Sequence, residues 1–136
     1  MTKPIPSIQK YMTTCPHSIG SDQPLTKAHQ MMRQYGIRHL PVLTGGKLVG
    51  IISDRDLKFV ETFRETDPAT MKVEDAFIPE PYTVDPSAPL DEVCSTMAEH
   101  KYGSVLVVQN DKLVGIFTWV DALMAFSDQL STRLGK

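Results

Sequence analysis

Apolar residues recur along this chain in two rhythms. Leu25, Ala28, Met32 and Tyr35 step by three and four, and Leu90, Val93 and Met97 repeat the step. That spacing brings the side chains onto one face of a helix. Shorter apolar-rich runs follow. Leu40–Leu43 and Lys47–Ser53 flank Gly45-Gly46, and Val105–Val108 and Lys112–Thr118 flank Asn110-Asp111. Both dipeptides accept the positive φ of a tight turn, so each set predicts a β-hairpin. A brief extended stretch precedes each first helix, at His17–Ile19 and Tyr82–Val84. A lead-in segment stands before that, at Ile8–Met12 and Val73–Phe77. Asp22 and Ser87 are the expected N-caps. A second helix closes each set, from Asp54 to about Thr62 and from Trp119 to about Ser127. The last stretch, Ser127–Lys136, has Leu130 and Leu134 four apart and either extends the final helix or frays.

The two sets are copies. Displaced so that Pro16 falls on Pro81, the chain aligns with itself without a gap. Pro24 then falls on Pro89, Leu25 on Leu90, Met32 on Met97 and Val42 on Val107. Lys47-Leu48-Val49-Gly50-Ile51 falls on Lys112-Leu113-Val114-Gly115-Ile116, and Asp56 on Asp121. One supersecondary unit is used twice. Each copy runs strand, helix, strand, strand, helix. One small sheet with two amphipathic helices leaves an apolar face uncovered, so two copies packed about a pseudo-twofold axis are expected. The polar segment Glu61–Lys72, with Asp67-Pro68, reads as the connector. The fold class is therefore α+β: residues 1–136 as one module, with repeats at 8–62 and 73–127.

Composition narrows the function. The 136 residues are 41% hydrophobic and 22% charged with a formal net charge of -2, which fits an ordinary globular domain. No basic run points to nucleic acid, and no apolar run is long enough for a membrane span. The first residues lack the apolar stretch of a signal peptide. Cys15 and Cys94 fit neither a disulfide framework nor a zinc site, so a reducing cytoplasm is the expected compartment. Cys15, His17, His29, His39 and His100 lack metal-ligand spacing. Gly45-Gly46-Lys47 is a turn and not a phosphate loop. No nucleophile motif suggests an enzyme.

Chemistry concentrates where each hairpin meets its second helix. Gly50-Ile51-Ile52-Ser53-Asp54-Arg55-Asp56 and Gly115-Ile116-Phe117-Thr118-Trp119-Val120-Asp121 share glycine, two apolar residues, a hydroxyl residue, two variable positions and aspartate. An ionised aspartate accepts both protons of a vicinal diol, and a neighbouring hydroxyl adds a donor and an acceptor. Helix N-terminal amides favour anions. This makes a ribose-phosphate cradle. The same spacing also makes a capping box, in which the two side chains satisfy backbone amides.

With these motifs the chain resembles the CBS (cystathionine-β-synthase) domain family, and the pair resembles a Bateman module. Ile37-Arg38-His39-Leu40-Pro41-Val42 is similar to the family's second-strand motif, and Gly50–Asp56 to its nucleotide-binding motif. The resemblance implies regulatory clefts between the repeats for AMP, ADP, ATP, S-adenosylmethionine or another adenosyl ligand, with no required cofactor. It implies one site of Thr118, Asp121, Ser18, Ile19, Arg38 and His39. The other holds Ser53, Asp56, Thr83, Val84, Gly103 and Ser104. Gly103-Ser104 replaces the basic pair there, so the Asp121 site is the expected stronger phosphate binder, with His39 able to add a proton near neutral pH. Arg55 lies beside Asp56, where it pairs with an acid or serves a phosphate. Trp119 belongs on the surface, and Met31, Met32, Met97 and Met124 in the core. A homodimer through outer helices carrying Leu123, Phe126, Leu130 and Leu134 is expected, with an unidentified effector protein as a further partner. The rival reading is a dimerisation scaffold whose aspartates only cap helices.

Overall fold

The hairpins form where the turn dipeptides predict them. A computed structural model of the protein describes residues 4–63 and 65–134. In it β3 (His39–Thr44) turns through Gly45-Gly46 into β4 (Lys47–Ser53), and β7 (Ser104–Gln109) turns through Asn110-Asp111 into β8 (Lys112–Thr118). All four turn residues have positive φ, between 52° and 80°. The copying extends to irregularities. Each hairpin slips register at the same place, between Val42 and Leu43 and between Val107 and Val108.

Two compact units result, and they divide the chain differently from the sequence repeats. The first is Pro16–Pro81. Its sheet has the order β2 (Ile19–Gly20), β3, β4, β5 (Ile78–Pro79). Helices α1 (Leu25–Tyr35) and α2 (Asp54–Val60) belong to it. Its core joins Ile19, Leu25, Ala28, Met32, Leu40, Val42, Ile52 and Leu57 to Val73. Val73 comes from the lead-in of the second sequence repeat, where a 3-10 turn runs Val73–Asp75. Its amide donates to the carbonyl of Gln23 at 2.8 Å.

The second unit joins the chain up to Cys15 to the chain from Tyr82 onward. Its sheet has the order β1 (Thr13–Thr14), β8, β7, β6 (Thr83–Val84). Helices α3 (Leu90–His100) and α4 (Trp119–Arg133) belong to it. Leu90, Val93, Met97, Val105, Val107, Phe117 and Ala125 form its core with Ile8, from the first repeat's lead-in. Ile8 and Val73 are wholly buried. Burying such a side chain contributes about 1.5–3 kcal/mol. Each lead-in thus completes the core and the sheet edge of the unit built from the other repeat's hairpin.

The glycine that opens each shared motif makes this possible. Gly50 lies in β4 against β5, and Gly115 in β8 against β1. A β-carbon on Gly50 would lie 2.4 Å from the carbonyl oxygen of Ile78, and one on Gly115 would lie 2.5 Å from the sulfur of Met12. At Gly50 the backbone of the neighbouring strand itself fills the space of a side chain, and at Gly115 the Met12 side chain does.

Several expectations need correction. Asp22 and Ser87 do not cap the first helices. Pro24 and Pro89 hold the N-cap positions, with no side-chain cap bond. Ser87 instead donates to the carboxylate of Asp85 through its amide and its hydroxyl. Tyr35 is exposed and stacks on His17, with ring centroids 3.6 Å apart. Met124 is 66% exposed rather than in the core. The last helix extends: α4 runs to Arg133 because its added turns meet the N-terminal arm. The Tyr11 hydroxyl donates to Asp128, Gln129 donates to Tyr11 at 2.6 Å, and Arg133 donates to the Pro4 carbonyl at 3.1 Å. Residues 135–136 of the expected tail lie outside the described residues.

Candidate functional site

The hydroxyl–carboxylate pairs stand where a strand becomes a helix, and each forms a complete capping box. In the first unit the Ser53 amide donates to Asp56 Oδ2 at 2.8 Å, and the Asp56 amide donates to Ser53 Oγ at 3.1 Å. In the second the Thr118 amide donates to Asp121 Oδ2 at 2.9 Å. The Asp121 amide reaches Thr118 Oγ1 at 3.5 Å, and that hydroxyl lies 3.3 Å from Asp121 Oδ2. The capping interpretation is therefore real in both copies. It does not use up the carboxylate. The cap occupies Oδ2 and leaves Oδ1, and an ionised carboxylate offers about four acceptor positions. Helix capping and ligand binding are compatible in one side chain.

The sheet topology collects some of the remaining candidates at the same end. β3 and β4 run antiparallel, so the start of β3 lies beside the end of β4, while β2 runs parallel to β3 and begins further along it, with Ile19 opposite Val42. His39 pairs in register with Ser53, and the Arg38 carbonyl accepts the amide of Asp54 at 2.9 Å. Ser18 and Ile19 enter at the start of β2. In the second unit Ser104 pairs with Thr118, and the Gly103 carbonyl accepts the amide of Trp119 at 3.2 Å. Thr83 and Val84 form β6 alongside Leu106 and Val107. Within the first unit Arg38, His39, Ser53 and Asp56 share one sheet end, and Ile19 lies further along the sheet opposite Val42. Within the second Gly103, Ser104, Thr118 and Asp121 share the equivalent end, and Thr83 and Val84 lie further along opposite Leu106 and Val107.

The two ends differ in charge. The first carries Arg38 and Arg55, both exposed. Lys58 rather than Arg55 pairs with Asp54, at 3.1 Å, and among the described residues neither arginine has an ion-pair partner. Burial pushes His39 below its ordinary pKa of 6.5. Asp56 opposes the shift, Arg38 and Arg55 add to it, and Asp54 opposes it. Burial thus works against the proton that the sequence analysis expects His39 to add near neutral pH. The second end has hydroxyls instead, with Thr83 further along the sheet: Ser104, Thr118 and Thr13, which lies outside the repeated motif. The Thr13 hydroxyl points to Asp121 Oδ1 across 3.5 Å. A two-residue polar strand carries no periodic signal, which is why it went unseen. Trp119 is 48% exposed, as expected. Among the described residues, no group of three or more His, Cys, Asp or Glu side chains is placed to hold a metal, and no helix is long and apolar enough to cross a membrane.

A family model described as "CBS domain" matches residues 1–61 and 73–128, and the chain belongs to the CBS domain family. It is 33% identical over 104 residues to hypoxic response protein 1 of Mycobacterium tuberculosis, covering 76% of this chain and 73% of that protein. It is 29% identical over 134 residues to an inosine-5'-monophosphate dehydrogenase of Korarchaeum cryptofilum, covering 98% of this chain. It spans only 27% of that enzyme's length. Among solved structures it is similar to the CBS domain pair of protein MJ0100 in complex with 5'-methylthioadenosine and S-adenosyl-L-methionine. The identity is 25% and the TM-score 0.84, over 93% of this chain and 99% of that one. The α+β fold of two small mixed sheets with four helices is that of a tandem CBS pair.

Proposed function

We propose that this chain is a regulatory module that binds an adenosine-type ligand, such as AMP, ADP, ATP or S-adenosylmethionine, and performs no catalysis. The observation that carries the reading is the half-used carboxylate. Asp56 and Asp121 each give Oδ2 to a helix cap and leave Oδ1 outside it, shared at Asp121 with the Thr13 hydroxyl, beside a hydroxyl residue and helix amides. That set suits a ribose diol with an anionic group nearby. The adenosyl ligands of the similar MJ0100 pair support the ligand class. A bound ligand regulates by preferring one conformation over another, and coupling of about 1–3 kcal/mol is sufficient. The output is an effector protein or self-association, and the two free thiols, Cys15 and Cys94, suit a reducing cytoplasm.

Thermal-shift and calorimetric titrations with AMP, ADP, ATP, S-adenosylmethionine, adenosine and GTP test this. A ligand at 100 times its Kd stabilises by about 2.7 kcal/mol. Equal responses to ATP and GTP reject adenine selectivity, and no response to any ligand rejects the sensor. The complete capping boxes favour one alternative, a dimerisation scaffold in which both aspartates are structural. That reading requires Asp→Ala substitutions to cost stability with no ligand to lose.

A further inference from the structure

Asp56 and Asp121 are equivalent in the duplication and in their caps, yet among the described residues only Asp121 has a further side-chain partner, Thr13, on the oxygen that the cap leaves over. β1 pairs with β8 with Thr13 opposite Ile116, and β5 pairs with β4 with Ile78 opposite Ile51. Thr13 and Ile78 are therefore the same position in the two units. Thr13 directs its hydroxyl at Asp121 Oδ1 across 3.5 Å. Ile78 is 50% exposed and has no hydroxyl to offer.

We propose that Thr13 is a ligand-specificity residue of the Asp121 end, making that end read a vicinal diol more strictly than the Asp56 end does. The proposal rests on the adenosine-binding reading above. A hydroxyl that donates to a carboxylate has its own lone pairs left to accept. Thr13 and Asp121 thus present two acceptors on different atoms, one for each proton of a ribose diol, and Thr13 holds the carboxylate in place as it does so. The Asp56 end has no counterpart of the Thr13 hydroxyl, and its carboxylate is held by the cap alone. Thr13 is also exposed and outside the core, so removing its hydroxyl does not empty a packed site.

The test is calorimetry of AMP, 2'-deoxy-AMP and 3'-deoxy-AMP, with Asp56→Asn as the background so that the Asp121 end dominates. Thr13→Val should weaken AMP by roughly three- to tenfold, the loss of one uncharged hydrogen bond. It should weaken at least one deoxy form much less, so that discrimination shrinks. Thr13→Ser should restore both. In the reciprocal arm, Ile78→Thr in an Asp121→Asn background should increase diol discrimination at the other end. The proposal is overturned if Thr13→Val binds AMP as the background does, or loses AMP and both deoxy forms equally. If the wild type binds no adenosine ligand, the function reading fails and takes this proposal with it. That outcome is distinct from one in which wild type and Thr13→Val bind AMP alike.

Discussion

Gly50 lies so close to Phe77 that a β-carbon on the glycine would come within 2.2 Å of the ring carbon Cδ2. Even if the ring yields, the Ile78 carbonyl oxygen would lie 2.4 Å from the same β-carbon, and backbone cannot move aside cheaply. Gly50→Ala should therefore destabilise the chain by about 1–3 kcal/mol, the usual cost of overpacking. Gly115→Ala should cost less. Its nearest neighbour is the flexible side chain of Met12, and the Thr13 carbonyl is 3.1 Å away. Urea denaturation of the two variants checks the order, and an equal or inverted ranking would refute the close-approach role.

The two duties of Asp121 separate by substitution. Asp121→Asn keeps a side-chain oxygen for the Thr118 amide, so its melting temperature should stay near that of the wild type. Asp121→Ala removes the cap and should cost about 0.5–2 kcal/mol. Both should weaken an adenosine ligand, the Asn variant by about tenfold, because a charge-assisted bond becomes a neutral one. Melting curves with and without ligand give both readouts. An Asn variant that binds like wild type would leave the carboxylate as a cap only.

His39 gives stability a defined pH dependence. Its folded pKa lies below its ordinary value of 6.5 because it is buried. Between the two values the unfolded chain binds more protons, so stability rises with pH across that window. The contribution is complete above 6.5 and is lost as pH falls through the folded value. Melting temperatures from about pH 5 to 8 should therefore fall on acidification, and His39→Gln should flatten that slope. An unchanged slope in the variant would assign the effect elsewhere.

Along α4, Trp119, Leu123, Phe126 and Leu130 recur at helical spacing and are 42–61% exposed. That apolar stripe is the surface through which the sequence analysis expects a homodimer. Light scattering at micromolar concentration should give a dimer mass, and Leu123→Glu should give a monomer with an intact fold. A monomeric wild type, with and without ligand, would rule the dimer out.

What the sequence made legible was local. Turn dipeptides with positive φ, helix faces and the hydroxyl–aspartate junctions all follow from neighbours in the chain. The N-caps failed because Pro24 and Pro89 stand nearer the first helical turn than Asp22 and Ser87 and already hold the backbone extended. The reach of α4 stayed open in the sequence because its support is the distant arm around Tyr11. At the candidate site, Ser53, Asp56, Thr118 and Asp121 were readable as a repeated motif. Thr13 was not, because its pairing with β8 joins residues more than a hundred positions apart.

The placement of Ile8 and Val73 means that neither half of the chain holds all of its own core. A single repeat would carry a lead-in strand that its own hairpin does not use, and a sheet edge that it does not fill. Fragments severed within the connector should therefore each be incomplete and should regain structure only when mixed.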